Sequence, residues 1–272
     1  MLSVIVPASN EAEFIGACLA HLCASDAPDV QVIVVANGCR DQTADVARTL
    51  LAERLPKGWS STVLDLAQGS KPLALNAGDA VAVHPLRVYL DADVCISPGL
   101  LSALVPVLDT DAPRYASGTP IIPPAQSAVT RAYARFWLKL PFNQTVAPGY
   151  GLFAVNAAGR ARWGDFPAII SDDTFVRLQF MPHERVQVAE PYLWPMIEGF
   201  AALVRVRRRQ DAGVKELDAL SPGLLSREAK PQLTIAALLR LLLADPVGFA
   251  TYAAVSVAVR TKRGGPGFTR GR

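Results

Sequence analysis

The stretch that decides the fold is Val88-Tyr89-Leu90-Asp91-Ala92-Asp93-Val94. Three apolar residues run directly into two aspartates spaced two apart. In a strand, side chains alternate faces, so Asp91 and Asp93 emerge on the same side just past its C-terminal end. An uninterrupted apolar lead-in is the signature of a strand covered on both faces, as in a parallel sheet between helices. Ligands of open α/β sheets bind outside the carboxyl ends of the strands, where this pair sits. Close carboxylates need a cation or a shared proton between them. Hard oxygen ligands suit Mg²⁺ or Mn²⁺, which complete their shells with substrate phosphates. The functional reading of the stretch is a divalent-metal diphosphate site with Asp91 and Asp93 as metal ligands; the alternatives are a shared proton or a plain solvated turn after a strand.

Strand–helix alternation extends outward from it in both directions. Leu2 to Pro7 is a β-branched strand, and Asn10-Glu11 is the expected cap of a helix carrying Ile15, Cys18, Leu19 and Leu22. Val30 to Ala36 is a second strand, with Asp41 capping the helix after it. Ser61 to Leu66 is a third, followed by a helix from Lys71 through Val83. After the aspartates, Ser97-Pro98 supplies a cap and an N1 proline for a helix through Leu108. Four such alternations with short connections specify an α/β fold, with a central, mostly parallel sheet flanked by helices.

Beyond about residue 112 the pattern loosens. Tyr115 to Ile122, Tyr150 to Val155 and Glu184 to Val188 read as strands, Ala128 to Leu140 and Thr174 to Phe180 as helices. From Glu198 helices dominate. This divides the chain into residues 1–200, a nucleotide-binding and catalytic unit, and residues 201–272, a helical extension with a basic tail. Leu233 to Leu243 and Val247 to Val259 are strongly apolar but interrupted by Arg240, Asp245 and Pro246, so neither reaches the ~18 residues of a bilayer span. They read as helices packed on the main unit or as a hairpin resting on a membrane surface. Past Asp245 no acid remains, while Arg260, Lys262, Arg263, Arg270 and Arg272 follow, a tail suited to anionic lipid.

Composition bounds the rest. The chain has 272 residues, 51% hydrophobic and 19% charged, and a net charge of +3, which argues against nucleic acid as a partner. Four scattered cysteines and no Cys-x-x-Cys pair point to reduced thiols in a cytoplasmic protein, and Met1 to Ala8 reads as a core strand, not a leader.

Three further constellations fall at strand ends, on the rim that Asp91 and Asp93 share. They are Pro7-Ala8 with Asn10 and Glu11; Asn37-Gly38, whose amide is suited to a ligand edge; and Gly69-Ser70-Lys71, a lysine at a helix start where a phosphate binds. Asp172-Asp173 opens a helix further on.

In this order the segments SVIVPASNEAEFI, ANGCRDQTADVA, GSKPLALNAGDAV, LDADV and SDDTFVRLQF resemble the family 2 glycosyltransferases, inverting enzymes of the GT-A fold, from Ser3 to about Leu178. The resemblance implies a sugar transferred from a nucleoside-diphosphate donor, UDP foremost, to a glycan or lipid-linked acceptor in cell-surface polysaccharide or lipid-linked glycan synthesis. It implies that Pro7, Ala8, Asn10, Glu11, Asn37, Lys71 and Asp91 hold the donor nucleotide, Asp91 and Asp93 a Mn²⁺ or Mg²⁺ ion, and Asp173 the role of catalytic base with Asp172 beside it. Ala36-Asn37 departs from the family's frequent aspartate pair. Arg205, Arg207, Arg208 and Arg209 resemble a later arginine motif of an acceptor-side loop only loosely, and read equally as a solvated helix face. The alternatives are a sugar nucleotidyltransferase, for which the glycine-rich basic loop after the first strand is missing, and a non-catalytic nucleotide-binding scaffold.

Overall fold

A computed structural model describes residues 1–228, 231 and 233–261. Lys262, Arg263, Arg270 and Arg272 of the basic tail lie outside the described residues. The first half alternates β1 (Leu2–Ala8), α1 (Ile15–Cys23), β2 (Val30–Asn37), α2 (Thr43–Arg54), β3 (Ser60–Leu66), α3 (Lys71–Val81) and β4 (Leu86–Leu90). The second half runs β5 (Cys95–Ile96), α4 (Leu100–Leu108), β6 (Tyr115–Ile121), α5 (Ala128–Trp137), β7 (Leu152–Val155), α6 (Ala157–Arg160), α7 (Asp172–Leu178), β8 (Arg185–Leu193), α8 (Phe200–Leu220), α9 (Ile235–Ala244) and α10 (Pro246–Thr261).

The strands form one sheet in the order β3-β2-β1-β4-β7-β6-β8-β5. β1 and β2 are buried along their whole length, which only a sheet covered on both faces allows. Alternation sorts them: Val4, Val6, Val32 and Val34 pack toward α1, α2 and α4, while Ile5, Ile33 and Val35 pack toward α3 and α7. The sheet is parallel from β3 to β4, as the alternation requires, and then becomes mixed. β7 runs antiparallel to both β4 and β6, whereas β6 and β8 are parallel. The parallel expectation fails where the short strand–helix repeat stops and β7 is entered from a turn instead of a helix.

Several helix starts differ from expectation. Asn10 does not cap α1. It sits in the left-handed region at φ 52°, and the amides of Phe14 and Ile15 both donate to the Glu11 carbonyl, so the helix begins five residues later. Nor does Ser97 cap α4, whose first residue is Leu100. The Ser97 amide is spent on the Pro191 carbonyl at the end of the unanticipated β5–β8 pairing. The strand expected at Glu184 to Val188 extends to Leu193.

The C-terminal helices close over the sheet unit. Leu217 of α8 joins the core beneath α7, and Tyr133 of α5, Leu203 and Val204 of α8 and Val255 of α10 form a small core of their own. No single described helix is long and apolar enough to cross a membrane; α9 and α10 are bent by 119° at Asp245. All four cysteines are free thiols.

Candidate active site

The end of β4 delivers the paired aspartates into a turn. The Asp91 amide donates to the Gly151 carbonyl at 2.9 Å, and the Val94 amide returns to the Asp91 carbonyl at 3.1 Å. Both carboxylates line a cavity of about 560 Å³ that runs along the carboxyl ends of the central strands. Of the other residues named from sequence, Pro7, Asn10, Glu11, Asn37, Lys71, Asp172 and Asp173 line the same cavity. Ala8 does not. It is a buried strand end whose carbonyl accepts from Asn37 Nδ2.

The turns after β1 and β2 are tied to one another. Asn10 Oδ1 accepts the Arg40 amide at 2.7 Å, Thr43 Oγ1 accepts the Glu11 amide at 2.8 Å, and Asp41 Oδ2 accepts the Ala12 amide at 3.2 Å. Burial works against the charge of Asp41, but hydrogen bonds from Thr43 and the Ala12 amide hold its carboxyl below the usual range. Asn37 is committed as well. Its Nδ2 donates to the Ala8 and Val35 carbonyls at 2.9 and 3.3 Å, and its Oδ1 accepts the Ser70 amide at 3.0 Å. The amide edge that the sequence offered to a ligand is thus used inside the protein, where it fixes the start of α3. Gly38, at φ 57°, lets this turn abut the next: a Cβ there would fall 2.5 Å from the Gly69 backbone.

The Ser70 turn aims Lys71 into the middle of the cavity. Its Nζ lies 2.9 Å from Asp91 Oδ1 and 3.1 Å from Asp172 Oδ2, bridging β4 to the start of α7. Burial opposes the ammonium charge, yet Asp172, Asp91 and Asp173 outweigh it and hold the lysine above its ordinary range. Asp172, 4% exposed, is pushed up to about 6 by burial, with Lys71 pulling the other way and Asp173 and Asp91 adding to the rise. Asp173 differs from its neighbour. Its Oδ1 accepts the Thr174 amide at 2.6 Å, and the residue is half-buried where Asp172 is buried.

The opposite wall is aromatic and was not found from sequence. Tyr150 and Trp194 meet at 4.6 Å between centroids, and Trp137 stacks on Trp194 at 5.8 Å. These residues come from three separated segments, and only the aromatic-rich helix at residues 128–140 hinted at them. The arginine cluster lies in the regular helix α8, where Arg205 is exposed and Arg207, Arg208 and Arg209 are half-buried. Arg207 and Arg209 line the cavity. Arg207 Nη1 reaches the Tyr252 hydroxyl at 3.1 Å, and Arg208 binds the terminal carbonyls of α10 at Ala258 and Val259.

Among the described residues no three acidic, histidine or cysteine side chains form a metal cage. The two carboxylates of Asp91 and Asp93 fit a different kind of ion: a hard divalent cation that takes its remaining ligands from phosphate oxygens and water.

The family described as glycosyl transferase family 2 matches residues 3–206. No curated protein sequence matches the chain significantly. Among solved structures, the mannosyltransferase PcManGT from Pyrobaculum calidifontis, in complex with GDP-Man and Mn²⁺, superposes with a TM-score of 0.63 at 21% identity, covering 96% of this chain and 76% of that one. Glucosyl-3-phosphoglycerate synthase from Mycobacterium tuberculosis, with Mn²⁺, UDP and glucosyl-3-phosphoglycerate, superposes at 0.55 with 21% identity, covering 85% and 81%. S. aureus TarS 1-349 with UDP-GlcNAc gives 0.55 at 16% identity, covering 95% and 81%. At such identities the likeness is one of fold, and the fold is that of the GT-A glycosyltransferases.

Proposed function

The chain belongs to glycosyl transferase family 2, and from that membership we propose that it transfers a sugar, with inversion, from a nucleoside-diphosphate donor held in the cavity to an acceptor hydroxyl. The observation that carries the reading is the meeting of Asp91, Asp93, Lys71, Asp172 and Asp173, from three elements, in one cavity. Residues 1–200 form the donor-binding and catalytic unit and residues 201–272 its helical extension.

The donor lies with its nucleoside toward Pro7, Asn10 and Glu11 and its diphosphate toward Asp91 and Asp93. UDP is put first and GDP second: uracil and guanine both carry a ring N–H that a carboxylate such as Glu11 accepts. Asp91 and Asp93 would hold Mn²⁺ or Mg²⁺, whose charge stabilises the departing diphosphate. Lys71 neutralises Asp91 and Asp172, so the site admits an anionic donor despite its three neighbouring acids. An inverting transfer needs one base to take the proton of the attacking hydroxyl. Asp173 is assigned that task because, of the two acids on the cavity, Asp172 is buried and committed to Lys71 whereas Asp173 is only half-buried. Asp172 positions the lysine. The aromatic wall of Trp137, Tyr150 and Trp194 suits the apolar face of a sugar ring in a glycan or lipid-linked acceptor for cell-surface polysaccharide or lipid-linked glycan synthesis.

The test is donor turnover, read as nucleotide released from UDP- and GDP-sugars with Mn²⁺. Release that disappears in Asp173→Asn while nucleotide binding survives supports the assignment. Binding without release in the unaltered protein would leave a nucleotide-binding scaffold in its place.

A further inference from the structure

Among the described α-helices, α9 alone has no buried residue, although nine of its ten residues are apolar. Ile235, Leu239 and Leu243 recur every four residues in a single stripe and are 79%, 53% and 83% exposed. Val247 and Val257 extend the apolar surface onto α10. Single exposed leucines are ordinary; an aligned row on a helix whose other side, at Ala237, Leu238, Leu241 and Leu242, is only half-buried is a surface built to be covered.

The charges select what covers it. Arg240 is exposed on the flank of the stripe, one helical turn before Leu243. The one acid of the two helices, Asp245, is buried and neutralised by Arg135 Nε and Nη2 at 2.8 and 2.7 Å, with Lys139 at 3.5 Å. Past Asp245 the sequence holds five cations and no acid. A two-fold contact between copies through this stripe would bring no free acid from either helix to pair with Arg240. A surface of anionic headgroups over acyl chains instead matches both the apolar stripe and the cations beside it.

We propose that α9 and the outer face of α10 dock on an anionic membrane surface, with α9 lying in the headgroup plane. Because α10 packs on α5 and α8, which contribute Tyr133 and Arg207 to the cavity wall, docking sets the cavity beside the bilayer. That juxtaposition fits an acceptor carried on a lipid. This last step rests on the transferase reading; the docking itself does not.

The experiment is flotation of the full chain with vesicles of phosphatidylcholine alone or mixed with phosphatidylglycerol, alongside light scattering for mass in solution. The expected result is co-flotation with the phosphatidylglycerol vesicles, weakened by salt and by neutral lipid. Leu239→Asp with Leu243→Asp should lose about tenfold or more of that binding, since each leucine contributes burial in the interface, with donor turnover unchanged. Should that variant misfold, Arg240→Glu, which keeps the stripe, should weaken binding to anionic vesicles alone. A chain that stays in the aqueous layer with both vesicle types, or a double variant that folds and floats as well as the parent, overturns the proposal. So does a dimer that the double variant splits, which would make a second copy the occupant.

Discussion

On the donor side of the cavity the turns after β1 and β2 are held by short polar side chains bonded to backbone: Asn10 to Arg40, Thr43 to Glu11, Asn37 to Ala8 and Ser70. In the second half of the chain, charge and aromatic contact do that work. Arg162 grips Glu184 with two hydrogen bonds, Arg177 is buried against Glu228, Arg135 and Lys139 close on Asp245, and three aromatic rings stack along the wall. One region is set by local turn chemistry, with Asp41 its one charged tie, whereas the other is an assembly of distant residues whose order depends on several ion pairs.

The largest effect expected belongs to the one residue assigned to the reaction. Asp173→Asn should lower turnover by about 10²–10⁴-fold, the range of a lost general base, while the nucleotide-induced rise in melting temperature is kept. Loss of both together would mean that the two walls are not separable.

Glu228→Ala comes next. It leaves the Arg177 guanidinium buried and unpaired beneath α7, at a cost of about 3–5 kcal/mol. Hydrogen exchange should rise across α7 and the segment after α8 and stay unchanged in β1 and β2. Asn37→Ala attacks the other wall. It strips partners from the buried Ala8 and Val35 carbonyls and the Ser70 amide, costing about 1–3 kcal/mol, and should weaken nucleotide affinity without altering α7. If instead exchange spreads over both halves in either variant, the contrast between them fails.

The smallest effect is on pH. Hydrogen bonds from Arg162 hold Glu184 down at about 2, below its unfolded value. Its contribution is therefore complete above the unfolded carboxyl range near 4.3 and is lost as pH falls toward about 2, on the order of 2 kcal/mol. Acid should loosen the second half of the chain, and Glu184→Gln should flatten that limb of a plot of melting temperature against pH.

Legibility in the sequence follows the same division. Asp91-Ala92-Asp93, Asn37-Gly38 and Gly69-Ser70-Lys71 are each contiguous and each end a strand or open a helix, so strand alternation alone put them on one rim. What adjacency hid was commitment. Nothing in Asn37-Gly38 shows that the amide bonds two carbonyls and an amide of its own chain, or that Lys71 reaches Asp172 a hundred residues away. The aromatic wall is illegible for another reason: Trp137, Tyr150 and Trp194 come from three separated segments that meet across the antiparallel β7, a reversal no sequence period marks. Likewise the arginines of α8 look solvated until α10 is packed against them.

The most direct test of the central claim, that the rim of Asp91 and Asp93 is a metal-assisted nucleoside-diphosphate site, is a thermal-shift comparison of the unaltered chain and Asp93→Asn. UDP, GDP, CDP, ADP and dTDP would each be tried with and without Mn²⁺. A ligand that binds only the folded state at about 100 times its Kd adds about 2.7 kcal/mol of stability. The account predicts such a rise with UDP or GDP when Mn²⁺ is present, and its loss in Asp93→Asn. A rise of equal size without metal, or one that Asp93→Asn leaves intact, would contradict it.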